Sequence, residues 1–142
     1  MALTFEQWEL EVPPEIKADT LWRVKAYRIA LFLSELAWHD TIKLVKDRRM
    51  FAIADQLFRA ASNISSNVAE GYSRGTGKDR ARFYEYALGS VREARDWYYK
   101  SRHILDGIVV SHRLGLYSEL AKLLLTMISK ERTTNRRIRV ND

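Results

Sequence analysis

The sequence predicts an all-α protein, an antiparallel up-down-up-down four-helix bundle. Three observations carry the helical expectation. Apolar residues recur at spacings of three and four along four separate stretches, the mark of amphipathic helices. Both prolines of the 142-residue chain sit at positions 13 and 14, so nothing beyond Pro14 strongly breaks a helix. Apolar residues make up 46% of the chain, which at this length supplies one buried core in one domain.

Residues 1–18 read as an extended arm, because each proline drives the residue before it out of helical conformation. Phe5 and Trp8 are positioned to anchor that arm on a neighbouring surface. The bundle is expected over residues 19–133. Its first helix starts after Asp19 or Thr20, either of which can cap it. Leu21, Val24, Tyr27, Leu31 and Leu36 form one stripe, and Trp22, Ile29, Phe32, Leu33 and Trp38 widen it past a single face. A helix apolar on more than one side is buried on more than one side, which predicts cover from a second copy of the chain.

The charged run at 46–49 separates this helix from the second, expected from about Met50 to Ser73 on Ile53, Leu57, Ala60, Ile64, Val68 and Gly71. Residues 74–79 make the next turn. Gly75 and Gly77 can end a helix through positive φ, and Thr76 or Asp79 can cap the next one. The third helix is expected to run on Phe83, Ala87, Val91, Ala94, Tyr98 and Leu105, with Gly107 ending it. The fourth comes after Ser111 on Leu114, Tyr117, Leu120, Leu124 and Ile128, and residues 134–142 read as a basic tail that frays into solvent.

The composition bounds the function classes. There is no cysteine, hence no disulfide and no thiolate metal site. No segment approaches the roughly 18 apolar residues of a membrane span, and the acidic N-terminus is unlike a secretory signal. A cytoplasmic protein without membrane partners is expected. The net charge of +6 permits an anionic partner without demanding one.

Tests for site chemistry fail at named positions. The GTGK at 75–78 resembles a phosphate-binding loop, yet Tyr72 stands where its first glycine belongs and Asp79 where Ser or Thr should succeed the lysine. Leu36, Lys100 and Val109 stand three residues before the three histidines, so no Glu-x-x-His metal pair exists. Ser62, Ser65 and Ser66 lack a base and a nucleophile elbow. No cofactor, metal or catalytic residue is expected. Asn63, Asn67, Glu70 and Arg74 form a polar strip, and Gly89 and Ser90 are placed where the second and third helices would cross closely. Together they read as a packing and register device, or else as a ligand site. Basic residues gather at Arg74, Lys78, Arg80 and Arg82, and again at Arg132, Arg136, Arg137 and Arg139. Tyr72, Tyr84 and Tyr86 lie near enough in sequence to stack on bases. A ring would repeat each patch and add up weak contacts.

Residues 57–98 also carry a family likeness. Arg59-Ala60-Ala61, then Asn67-Val68-Ala69-Glu70-Gly71, a basic turn, Phe83, and Ala87-Leu88-Gly89-Ser90 with Glu93 beyond them resemble the signature of the four-helix-bundle proteins called 23S ribosomal RNA intervening-sequence proteins. The resemblance implies a homopentameric ring and a relation to the accessory proteins of diversity-generating retroelements, basic pentamers that bind nucleic acid and a reverse transcriptase. The first functional expectation is therefore a non-enzymatic oligomer that binds RNA or DNA. A protein-docking scaffold is the alternative, and an enzyme with a site at Asn67 and Glu70 the third.

Overall fold

The computed structural model describes the backbone from residue 2 to residue 141 and the side chains from residue 2 to residue 133. It is helical, with no strand among the described residues, and holds six α-helices where four were expected. The two additional ones lie in the N-terminal arm. Helix α1 (Phe5–Glu11) opens on a reciprocal cap: the Thr4 hydroxyl accepts from the Gln7 N–H, and the Gln7 amide oxygen accepts from the Thr4 N–H. Helix α2 (Pro14–Lys17) begins on Pro14 itself, in the first turn, where its missing N–H would have no partner within the helix. The arm is thus not extended. The prolines separate two short helices instead of forbidding both. Trp8 is buried and packs its ring on Phe5, Trp22 and Phe32, which fastens the arm to the rest of the fold.

Asp19 caps a 3-10 turn (Thr20–Arg23) by accepting from the Leu21 N–H, and helix α3 (Lys25–Leu44) starts a turn later than its sequence suggested. Asp47 opens a second 3-10 turn, its carboxylate accepting from the Arg49 N–H and guanidinium. The Arg49 bonds hold the Asp47 carboxyl down at about 2. Helix α4 (Phe51–Tyr72) and helix α5 (Gly77–Lys100) come next, the second capped by Thr76.

No glycine among the described residues has positive φ. The turn closes because Ser73, in right-handed conformation, gives its N–H to the carbonyls of Ala69 and Glu70. Gly77 matters for a different reason: a Cβ there would stand 2.8 Å from the Glu131 carbonyl oxygen. At the other end of α5, Gly107 starts helix α6 (Gly107–Asn141) and does not end its predecessor. Asp106 is the cap that places it, accepting from the Ile108 N–H at 2.8 Å. The backbone of α6 stays helical through the segment expected to fray.

Helices α3 with α4, α4 with α5 and α5 with α6 pack extensively, each pair antiparallel, as the contacts Trp38–Phe58, Gly71–Tyr84 and Arg80–Glu131 require. Leu33, Leu57, Ile64, Val91, Leu120 and Leu124 are wholly enclosed between them. Each such side chain contributes about 1.5–3 kcal/mol by leaving water. Helices α3 and α6 touch far less, so the fourth seam is open along much of its length. No helix among the described residues is long and apolar enough to cross a membrane.

Candidate functional site

The α4–α5 corner brings most of the expected basic residues together. Arg74 and Arg82 hold their guanidinium groups over the Phe83 ring, 4.6 and 5.3 Å from its centre. Lys78, Arg82 and Tyr86 succeed one another at spacings of four along the exposed face of α5. The corner is less positive than its composition suggests. Arg74 donates to Glu70 at 2.5 Å, Arg80 to Glu131 at 2.9 Å, and Arg132 pairs with Glu85. Arg80 also binds the Arg74 carbonyl, which ties the turn to α6. Lys78 and Arg82 keep no carboxylate partner among the described residues. The side chains of Arg136, Arg137 and Arg139 lie outside the described residues.

Of the three tyrosines, Tyr86 is 51% exposed, whereas Tyr84 is buried and cannot stack on a base. Burial, with the Glu131 charge adding, pushes the Tyr84 phenol up to about 12. Tyr72 spends its hydroxyl on Thr20.

The predicted close crossing at Gly89 and Ser90 is elsewhere. Gly89 is exposed, and a Cβ on it would meet nothing within 4 Å. The close approach belongs to Gly71, where a Cβ would stand 2.8 and 2.9 Å from the Tyr84 ring. Asn67 does not reach Ser90. It donates to the Asn63 carbonyl one turn back, as the exposed Glu70 pairs one turn forward. Arg59 bridges to Asp55 on the surface, and Glu93 accepts from the Trp97 indole. None of these residues forms a shared site.

A buried polar network was not among the features expected from the sequence. Asp40 of α3 is 1% exposed. Its carboxylate accepts from the Tyr98 hydroxyl of α5 at 2.6 Å and from the Arg113 guanidinium of α6 at 2.8 and 3.1 Å. Burial raises the Tyr98 phenol well above its usual range, with Tyr117 and Asp40 adding to it. Arg113 also lies 2.7 Å from His112 Nδ1. Since arginine can only donate, Nδ1 is the acceptor in this contact, which favours the neutral ring. Burial and then the adjacent guanidinium lower the His112 pKa, against a smaller pull from Asp40. The signal for this network lay in the spacing of Leu33, Leu36, Asp40 and Leu44, which sets a carboxylate on the core face of α3.

Beside the network, the open α3–α6 seam forms a groove of about 1190 Å³. Ile29, Phe32, Leu36 and Leu116 give it apolar walls, and residues 2–6 of the arm close one side. Arg28 lines it, and its side chain makes no hydrogen bond or ion pair among the described residues, although its Nε is buried. No cluster of His, Asp and Glu among the described residues could hold a metal ion.

This helical arrangement has a solved counterpart. A protein of unknown function from the S23 ribosomal protein family of Bacteroides thetaiotaomicron, known from its crystal structure, matches with a TM-score of 0.66 and 19% identity over 72% of this chain and 97% of its own. At that identity the likeness speaks for the fold alone. Among curated proteins none matches. The sequence profile described as 23S rRNA-intervening sequence protein matches residues 23–126, which takes in α3, α4, α5 and more than half of α6 and leaves the arm outside. With most of the chain matched, including the α4–α5 corner and the Asp40–Tyr98–Arg113 network, the protein belongs to the 23S rRNA-intervening sequence protein family.

Proposed function

We propose that this protein is a non-enzymatic four-helix bundle that assembles with copies of itself into a ring, a pentamer as the family resemblance implies, and binds the backbone of RNA or DNA in the cytoplasm. The observation that supports it best is the exposed line of Lys78, Arg82 and Tyr86 beside the Arg74–Phe83–Arg82 stack. Cations that have no carboxylate partner serve phosphates, and an exposed ring serves an unpaired base. One copy offers few such cations, because Glu70, Glu131 and Glu85 neutralise their neighbours. Repetition around a ring multiplies the contact without adding a new one.

The test is retention of a structured RNA by the wild-type protein and by the Lys78→Glu/Arg82→Glu double variant. Wild-type affinity should fall at least tenfold between about 50 and 200 mM salt as phosphate contacts release counterions, and the variant should lose binding at the lower salt. No binding at low salt, or binding indifferent to salt, would refute this reading.

A second reading, a scaffold that docks a partner protein, is favoured by a different surface. Trp38 and Ile42 of α3 and Val45, just past its end, are 54%, 49% and 46% exposed at helical spacing, and Phe51, the first residue of α4, is exposed as well. If copies of the chain do not cover that face, a partner protein does, and the complex would form without nucleic acid.

A further inference from the structure

We propose that the α3–α6 groove binds a small amphipathic carboxylate, its apolar body lying along α3 and its single negative charge held by Arg28. The groove tracks α3 from Lys25 to Lys43, about 27 Å at 1.5 Å per residue. Its volume of about 1190 Å³ exceeds what a packed core leaves empty and suits an organic ligand. Ile29, Phe32, Leu36 and Leu116 make an apolar lining that favours a hydrocarbon body.

Arg28 gives the site its polarity. Two of the other lining cations are already committed, Lys25 to Glu119 and Arg113 to Asp40, and Lys43 stands exposed at the far end. Arg28 alone is both half-buried and unpaired, with Nε shut away from water. A partly dehydrated guanidinium without a counter-charge is costly, and a bound anion relieves that cost. A planar carboxylate matches its fork of donors.

The surrounding charge selects for one negative charge and against many. Glu6, Glu11 and Glu35 line the same groove, so a nucleic acid or polyphosphate would meet repulsion there. This site is therefore separate from the α4–α5 corner and does not depend on it. One wall comes from residues 2–6 and Glu11, all outside the 23–126 stretch shared with the family, which makes the groove as built here a property of this chain.

Decanoate and decanol, compared by titration calorimetry below micelle-forming concentrations, test the proposal on the full chain. Decanoate should bind saturably at one per chain, and decanol at least tenfold more weakly. Arg28→Met should weaken decanoate at least tenfold and leave decanol unchanged. Leu116→Trp, which narrows the apolar part of the groove, should weaken both while helix content holds. Equal affinity for acid and alcohol, absence of saturable binding, or an Arg28→Met variant that binds decanoate as tightly would each overturn the assignment. The comparison on wild-type protein stands even if a variant fails to fold.

Discussion

Asp40 takes a hydrogen bond from Tyr98 and two from Arg113, in surroundings that leave it 1% exposed. A buried ion pair is weak evidence for added stability, but removing one partner strands the other charge. Asp40→Asn keeps the side chain's shape and removes its charge. It should cost about 3–5 kcal/mol in urea denaturation, because Arg113 then stays buried without a counter-ion. Replacing all three partners, as Asp40→Leu with Arg113→Met and Tyr98→Phe, should recover most of that loss, since no buried charge or hydroxyl is then left without a partner. A triple variant as unstable as Asp40→Asn would assign the cost to packing and not to charge. Asp40 was not read from the sequence, although it stands four residues after Leu36 and four before Leu44, on the buried face of α3. Its partners were not legible there, because Tyr98 and Arg113 lie 58 and 73 residues away and only the packing of three helices brings them together.

At the scale of the element, helix existence was far more legible than helix ends. The 3.6-residue pattern located α3, α4, α5 and the body of α6. The ends depended on capping groups that compete: Asp106 outranked Ser111 as the cap of α6, and the Thr4–Gln7 cap made a helix of the arm. The two glycines of the family signature separate on the same logic. Positions 84, 87, 88, 91 and 94 face the core of α5, which turns Gly89 outward, whereas Gly71 faces the Tyr84 ring. Gly71→Ala should lower stability by about 1–3 kcal/mol, since the methyl group collides with Tyr84 and with the Phe83 Cβ in a packed seam. Gly89→Ala should raise it by about 0.5–1 kcal/mol, since it removes backbone freedom from an exposed helix interior at no steric cost. Thermal melts of the pair decide the matter. Equal effects of the same sign would contradict this division of roles.

For the whole molecule, the decisive surface is the exposed stripe of Trp38, Ile42 and Val45. The excess apolar width of α3 was visible in the sequence. The arm and the core absorb Phe32, Leu33 and Ile29, while Trp38 remains outside, edge-on to Phe58. An exposed apolar patch of this kind marks an interaction face. If copies of the chain cover it, the wild-type protein should elute as an oligomer in size exclusion with light scattering, and Trp38→Glu/Ile42→Glu should elute as a folded monomer. A monomeric wild type at micromolar concentration would remove self-assembly from the proposed function. The basic corner was likewise legible as composition but not as free charge. Glu131 and Glu85 neutralise Arg80 and Arg132 only because α5 and α6 lie side by side.

The two ends of the α3–α6 seam are fastened unequally. Near one end the Asp40–Arg113 bond is enclosed, with side-chain exposures of 2% and 12%. At the other, Lys25 and Glu119 meet at 3.4 Å in open solvent, where such a pair holds weakly. A seam riveted at one end and only latched at the other opens like a hinged cover. Amide hydrogens of α3 near Lys25 should therefore exchange with solvent sooner than those near Asp40, and added salt should widen that gradient by loosening the latch and leaving the rivet untouched.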